Sequence, residues 1–276
     1  MDAKVYAISM MRDEADVARH VCLHLAEELV DGIIVADNLS TDCTRAELEA
    51  AKAECAERFP ALDFVIVDDA EPGYYQSRKM SALAALAASR GATWIVPFDA
   101  DEVWASNQYH LGDFLRGLGP DVWVARATLW NHFGSALDEP GETPFERMVW
   151  RHTDVGALPK VAFRWRPGAV VHQGNHGVAL GGFEAATCGG LELRHFPYRS
   201  WDHFERKARN GAAAYAATDL PEEMGSHWRR YGALLEAAGA DALRTEVYEK
   251  WFWFRDPAAR GCVRDPAGFR RWRGKV

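Results

Sequence analysis

Asp99-Ala100-Asp101-Glu102 places three carboxylates in four residues. At that spacing they repel one another, and a cation, water or a helix N-terminus has to offset the repulsion. Their hard oxygen atoms suit Mg²⁺ or Mn²⁺. Such ions take one or two carboxylates from a protein and fill the remaining positions with water and substrate phosphates. An isolated acidic triplet also reads as a solvated turn or a helix cap. What sets this one apart is the run before it, Trp94-Ile95-Val96-Pro97-Phe98, an apolar strand that ends abruptly in acid.

A second polar knot is Val170-Val171-His172-Gln173-Gly174-Asn175-His176-Gly177. Gly174 and Gly177 allow a close backbone approach to a ligand, and His176 has the chemistry of a general base near neutral pH. A loop histidine satisfied by local hydrogen bonds is the plainer reading of the same residue.

The elements that must position these groups alternate. Val5 to Ser9 is a short apolar run, and Asp13 to Val30 then carries Val17, Val21, Leu25 and Leu29 at helical spacing. Gly32 ends that helix, and Ile33-Ile34-Val35 reads as a second strand. Turn chemistry over Asp37 to Asp42 leads into a helix reaching about Phe59. Phe64 to Val67 predicts a third strand, Gln76 to Ser89 a helix, and Trp94 to Phe98 the fourth strand. Continuous apolar strands separated by helices predict a parallel sheet covered on both faces. Ligands of such sheets bind at the carboxyl ends of the strands. That rule gathers Ser9–Asp13, Asp37–Asp42, Asp68–Arg78 and Asp99–Glu102 along one edge. Beyond residue 120 the pattern turns to a strand over Val122 to Trp130 and mixed short strands over 148–180. Helices are expected over Ser200–Ala217 and His227–Phe254.

Four of these stretches resemble glycosyltransferase family 2 and its relatives, in order and spacing: Ile8 to Glu14, Val35 to Asp42, Tyr75 to Arg78, and Phe98 to Glu102. They cover roughly the first 105 residues, and Leu193 to Ser200 resembles a later segment of bacterial members. The resemblance implies an α/β chain of the GT-A fold, the Rossmann-like fold of nucleotide-diphospho-sugar transferases. That fold has a mostly parallel sheet, here expected over 1–217 with a helical C-terminal extension over 218–276. It implies transfer of a sugar from a nucleotide-diphosphate sugar to an acceptor hydroxyl, with UDP the commonest nucleotide and dTDP and GDP open. Nucleotide-sugar binding falls to Arg12, Asp37, Arg78 and Asp99. In that scheme Asp37 faces the base, Arg78 lies near the nucleotide, and Asp99 approaches the ribose or donor sugar. A Mn²⁺ or Mg²⁺ ion falls to Asp99, Asp101 and His195. Family members usually invert, which requires a base, but the expected Q-x-x-R-W-like segment is absent from this sequence. His176 is taken as the base ahead of Glu142, Glu146 and Glu184.

Composition sets the outer bounds. Hydrophobic residues make up 48% of the 276, ample for a core. The net charge of -8 excludes a nucleic-acid binder that relies on broad positive potential, though not a phosphate ligand held through a metal. Cys22, Cys43, Cys55, Cys188 and Cys262 are odd in number and contain no C-x-x-C, so buried thiols in a reducing cytosol are expected. The N-terminus has no apolar stretch of signal-peptide type, and a cytoplasmic protein is expected. Trp123, Trp130, Trp150 and Trp165 are expected mostly in core, with sugar stacking the other reading. The tail from Trp251, with Arg255, Arg260, Arg264, Arg270, Arg271, Arg273 and Lys275, reads as a packed helix with a basic end. Contact with an anionic membrane surface is the alternative. Two rival functions remain. One is a haloacid-dehalogenase-like phosphatase using Asp99 as nucleophile, since Asp99 to Val103 also fits D-x-D-x-[T/V]. The other is a non-catalytic nucleotide-sugar-binding protein.

Overall fold

The computed structural model describes residues 3–106, 109–156 and 158–266. The first half runs β1 (Val5–Met11), α1 (Ala18–Glu27), β2 (Gly32–Asp37), α2 (Thr44–Arg58), β3 (Asp63–Asp68), α3 (Gln76–Ser89) and β4 (Trp94–Pro97). Then come β5 (Glu102–Ser106), α4 (Leu111–Gly117), β6 (Val122–Ser135), α5 (Pro144–Arg147), β7 (Trp150–Arg151) and β8 (Lys160–Arg164). The chain closes with β9 (Val170–Val171), β10 (Val178–Ala179), β11 (Ala186–His195), α6 (Trp201–Ala216), α7 (Ser226–Leu243), α8 (Glu249–Trp251), β12 (Trp253–Phe254) and β13 (Val263–Arg264).

The apolar runs are continuous because both sheet faces are buried. Successive side chains of a strand point to opposite faces. Accordingly Val5, Ala7, Ile33, Val35, Trp94 and Val96 enter one core with α1 residues Val21, Cys22 and Leu25. Tyr6, Ile8, Ile34, Ala36 and Ile95 enter the other, against Met80, Leu83, Ala84 and Ala87 of α3. Each fully buried Leu or Ile contributes about 2 kcal/mol of transfer free energy. A polar residue in either register would be stranded in a core.

Strands β3-β2-β1-β4 are parallel in that order, as the alternation predicts. The sheet then changes character: β8 runs antiparallel to β4, and β6 antiparallel to β8. β11 lies parallel to β6 and antiparallel to β5. The fold class is the expected α/β one, with its parallel strands in the first half.

Two expectations shift. The first helix begins at Ala18 rather than Asp13, because Asp13 adopts φ 56° and turns the chain before the helix starts. The last expected helix, His227 to Phe254, is interrupted. Gly239 sits at φ 82°, a wide turn spans Arg244–Tyr248, and two short strands follow, β12 pairing with β6 and β13 with β7. Residues 218–266 therefore rejoin the sheet as well as packing Tyr231, Leu243 and Tyr248 against Phe204 of α6. Arg270, Arg271, Arg273 and Lys275 of the basic tail lie outside the described residues. No helix among the described residues is long and apolar enough to cross a membrane.

Candidate active site

At the carboxyl edge of the parallel strands, the loops after β1, β2 and β4 meet the end of β11, and α6 crosses above them. Together they enclose a cavity of about 280 Å³. Asp13 ties the walls together. Its Oδ1 accepts from the backbone N–H groups of Thr41 (2.7 Å) and Asp42 (3.2 Å), and its Oδ2 accepts from Asn210 of α6 at 2.6 Å. Burial alone would raise this carboxyl, but the bonds from Thr41 and Asn210 outweigh it and hold it low. Of the four non-glycine residues at positive φ among the described residues, Asp13, Leu39 and Asn175 border this region. Strained backbone of this kind collects where surrounding structure fixes a functional geometry.

The acidic triplet is threaded with lysines. Lys160, at the start of β8 and buried, lies 2.7 Å from Asp99 Oδ2 and 2.7 Å from Glu102 Oε1. Burial works against its charge, yet these two carboxylates keep it protonated. Asp99 Oδ1 accepts from Asn175 at 3.1 Å and from Gln76 at 3.4 Å. Lys207 of α6 lies 2.5 Å from Asp101 Oδ2 and 3.2 Å from Glu14 Oε1. Glu14 also pairs with Arg199, which holds Asp16 at 2.7 Å. Burial would raise Asp101 and Glu14, and Lys207 more than offsets it, so both carboxyls stay below their ordinary range. Glu102 has no such surplus: burial first, then the charges of Asp99 and Asp101, push it up to about 8.

His195, at the end of β11, pairs in register with Glu102 and so reaches the triplet from the side. Its Nδ1 lies 2.7 Å from Asn131 Oδ1, which only accepts, so the proton sits on Nδ1 and the lone pair on Nε2. That Nε2 is 3.7 Å from Asp101 Oδ1. Burial pushes the imidazole down to about 4, so it is neutral at physiological pH. A neutral imidazole lone pair and a carboxylate oxygen facing one another across 3.7 Å make a two-donor set for a divalent cation. Among the described residues no group of three or more His, Cys, Asp or Glu side chains clusters as a metal cage. Two protein donors with water and phosphate oxygens do fit Mn²⁺ or Mg²⁺.

The expected site residues divide. Arg12, Asp99, Asp101 and His195 all line the cavity, and Arg12 Nε is buried with no partner among the described residues. Asp37 stands one residue from the lining Asn38 and accepts from Ser40 N at 3.3 Å. Arg78 points away, with a side chain 63% exposed, paired to Glu71 at 3.2 Å and lying over the Tyr75 ring. His176 is not among the residues lining this cavity. Its Nδ1 lies 3.1 Å from Pro159 O, so it donates there, and burial followed by the charge of Lys160 lowers its pKa. The base role is not supported by that placement. The space beside Gly174 (φ 77°) is filled by the His176 ring and that beside Gly177 by His172, so these glycines accommodate their own loop's histidines. Both oxygens of Asp99 are held, Oδ2 by Lys160 and Oδ1 by Asn175. Trp123 and Trp165 pack partly buried on a core and Arg151 lies over Trp130, whereas Trp228 and Trp251 border cavities. Cys43 is exposed and Cys188 half-buried, against the expectation that all five thiols are buried.

Sequence reading missed Lys160, Lys207, Asn210 and Arg206. One signal was present: His203, Lys207 and Asn210 recur at four- and three-residue spacing, a polar face on one side of α6. Lys160 opening the apolar run Val161-Ala162-Phe163 was the other.

No protein-family model matches the sequence, and no curated protein matches it. Among solved structures, glucosyl-3-phosphoglycerate synthase from Mycobacterium tuberculosis, in complex with Mn²⁺, UDP and glucosyl-3-phosphoglycerate, is 18% identical with a TM-score of 0.32. That match covers 46% of this chain and 44% of the synthase. A mycobacterial protein is 14% identical over 79% of this chain and 76% of its own, with a TM-score of 0.39. The bifunctional glycosyltransferase WbbM, in its apo form, is 14% identical over 46% of this chain and 23% of its own, with a TM-score of 0.31. The chain thus spans under half the length of the synthase.

Proposed function

We propose that this chain is a glycosyltransferase that takes its sugar from a nucleotide-diphosphate donor bound with Mn²⁺ or Mg²⁺. The observation that carries the reading is the approach of neutral His195 Nε2 to Asp101 Oδ1 at the carboxyl edge of a parallel sheet. Asp101 and His195 would hold the ion, while Asn131 fixes the imidazole and Lys207 keeps the carboxylate ionised. Once bound, the ion neutralises negative charge that gathers on the departing nucleotide. Arg12, with its unpartnered Nε, and Arg206 line the same cavity and supply donors for phosphate oxygens. Asp99, fixed by Lys160 and Asn175, presents a rigid carboxylate where the ribose or donor sugar would lie. Tyr215 and Trp228 form an apolar wall on the α6 side. Inversion at the anomeric carbon follows from the family resemblance.

The test is a thermal-shift screen of UDP, dTDP and GDP, each with and without Mn²⁺. One nucleotide should raise the unfolding temperature by a few degrees only when the metal is present, by mass action on the folded state. Asp101→Asn and His195→Asn should each abolish the metal dependence. Stabilisation that both variants retain in full would overturn the metal assignment.

A further inference from the structure

The cavity at His195 does not end there. His195, Pro197 and Tyr198 also wall a second cavity of about 230 Å³, whose lining adds His132, Trp251 and Phe252. Trp251 and Phe252 in turn border a third, open cavity of about 550 Å³. The three cavities share walls in series, from the proposed donor site through Pro197 and Tyr198 to Trp251 beside the outer opening.

The chemistry of this arm is distinctive. His132 is buried, and its Nδ1 lies 2.8 Å from Met148 O, so that nitrogen carries the proton. Its Nε2 is then a bare acceptor, with no partner among the described residues. Trp251 is 57% exposed at the junction of the two outer cavities, with Lys250 Nζ 5.4 Å from its ring centroid. Around the mouth stand Arg230, Lys250 and Arg260. No described carboxylate forms an ion pair with any of the three: nearby Glu249 pairs with Arg244 at 2.9 Å, and Asp256 caps Ala259 N at 3.2 Å. Each of the three cations lies over an aromatic ring, Arg230 over Tyr231, Lys250 over Trp251 and Arg260 over Phe254, and none over a carboxylate. In a protein of net charge -8 the opening thus carries local positive charge that suits an anion.

We infer that this arm is the acceptor subsite, and that the acceptor is a saccharide bearing a phosphate or carboxylate away from its reacting hydroxyl. The sugar lies against Trp251 and Phe252, a hydroxyl donates to His132 Nε2, and the anionic group rests on Arg230, Lys250 and Arg260. Calling it an acceptor rests on the glycosyltransferase reading; the anionic-saccharide site does not.

The experiment titrates the full-length protein with paired sugars in the presence of UDP and Mn²⁺, and again without them. The pairs are glucose, mannose and galactose against their 6-phosphates, and glucose against glucuronate, with inorganic phosphate as a further probe. At least one anionic sugar should bind about tenfold or more tightly than its neutral partner, and the preference should shrink with added salt. The triple variant Arg230→Gln/Lys250→Gln/Arg260→Gln should lose that preference and still bind UDP with Mn²⁺ as the native protein does. His132→Phe should weaken both members of a pair. The inference is overturned if no anionic sugar is preferred, if the triple variant keeps the preference, or if inorganic phosphate binds as tightly as the sugar phosphate. It is also overturned if the triple variant loses only binding to phosphatidylglycerol vesicles, which would make the rim a lipid contact. If anionic sugars bind as expected while no nucleotide does, the site stands and the glycosyltransferase reading fails.

Discussion

Lys207 Nζ lies 2.5 Å from Asp101 Oδ2 and leaves Asp101 Oδ1 turned toward His195 Nε2 at 3.7 Å. The two oxygens of one carboxylate thus face different partners: a lysine from α6 on one side, a neutral imidazole from β11 on the other. The same lysine reaches Glu14 Oε1 at 3.2 Å, so it also joins the carboxyl ends of β1 and β4.

Removing that cation should expose how much of the site's order depends on it. Lys207→Met leaves Asp101 and Glu14 with less compensation, and because the side chain is 25% exposed the expected cost is about 1–3 kcal/mol, below that of a fully buried pair. Mn²⁺ should restore part of the loss by supplying positive charge at Asp101, and Lys207→Arg should cost less. Urea denaturation with and without Mn²⁺ measures both; a methionine variant as stable as the native protein without metal would show that the pairing contributes nothing.

Lys160 is the deeper ion, its side chain only 5% exposed between Asp99 and Glu102. Lys160→Met should destabilise by about 1–3 kcal/mol, since it removes the cation shared by Asp99 and Glu102 and leaves the protonated Glu102 carboxyl buried without its partner. Adding Glu102→Leu should recover much of that loss, because the buried carboxyl without a partner is then gone. A double-mutant cycle by chemical denaturation reads the coupling directly. Additive losses would mean that the two groups do not interact.

Acid should weaken the fold through His132. Burial pushes its pKa down to about 3 from an ordinary 6.5, so the unfolded chain binds a proton there that the folded chain refuses. The folded pKa is the depressed one, so this contribution is complete above about pH 6.5 and is lost progressively as pH falls toward 3. His132→Phe should flatten the decline of unfolding temperature between pH 6.5 and 4. An unchanged slope would assign acid sensitivity to other groups.

Thiol chemistry should follow burial. Cys43 is exposed, whereas Cys22 is fully buried and burial raises its pKa, keeping it as the unreactive thiol. Iodoacetamide on the native protein, followed by peptide mass mapping, should mark Cys43 first and leave Cys22 unmodified until the chain unfolds. Early labelling of Cys22 would contradict the packing of α1 against α2.

The first four strands, and the helix over Gln76–Ser89, could be read along the chain because their signals are local. A run of apolar residues, a helical repeat and a turn cluster each act within a dozen residues, and buried parallel strands advertise themselves by being apolar on both faces. The acidic end of β4 was legible for the same reason: it interrupts such a run. His195 was found through a resemblance rather than a pattern. What tertiary structure alone decided is which cations and donors meet that acid. Lys160 stands 61 residues after Asp99, and Lys207 stands 106 after Asp101. Their meeting depends on β8 running antiparallel beside β4 and on α6 crossing the sheet edge, and Arg78, beside the right strand, turned outward to Glu71 instead. Periodicity specifies how a segment coils and which face it buries. Which distant segment then covers that face is set by the order of strands and the docking of helices, where burial and charge are balanced over the whole molecule.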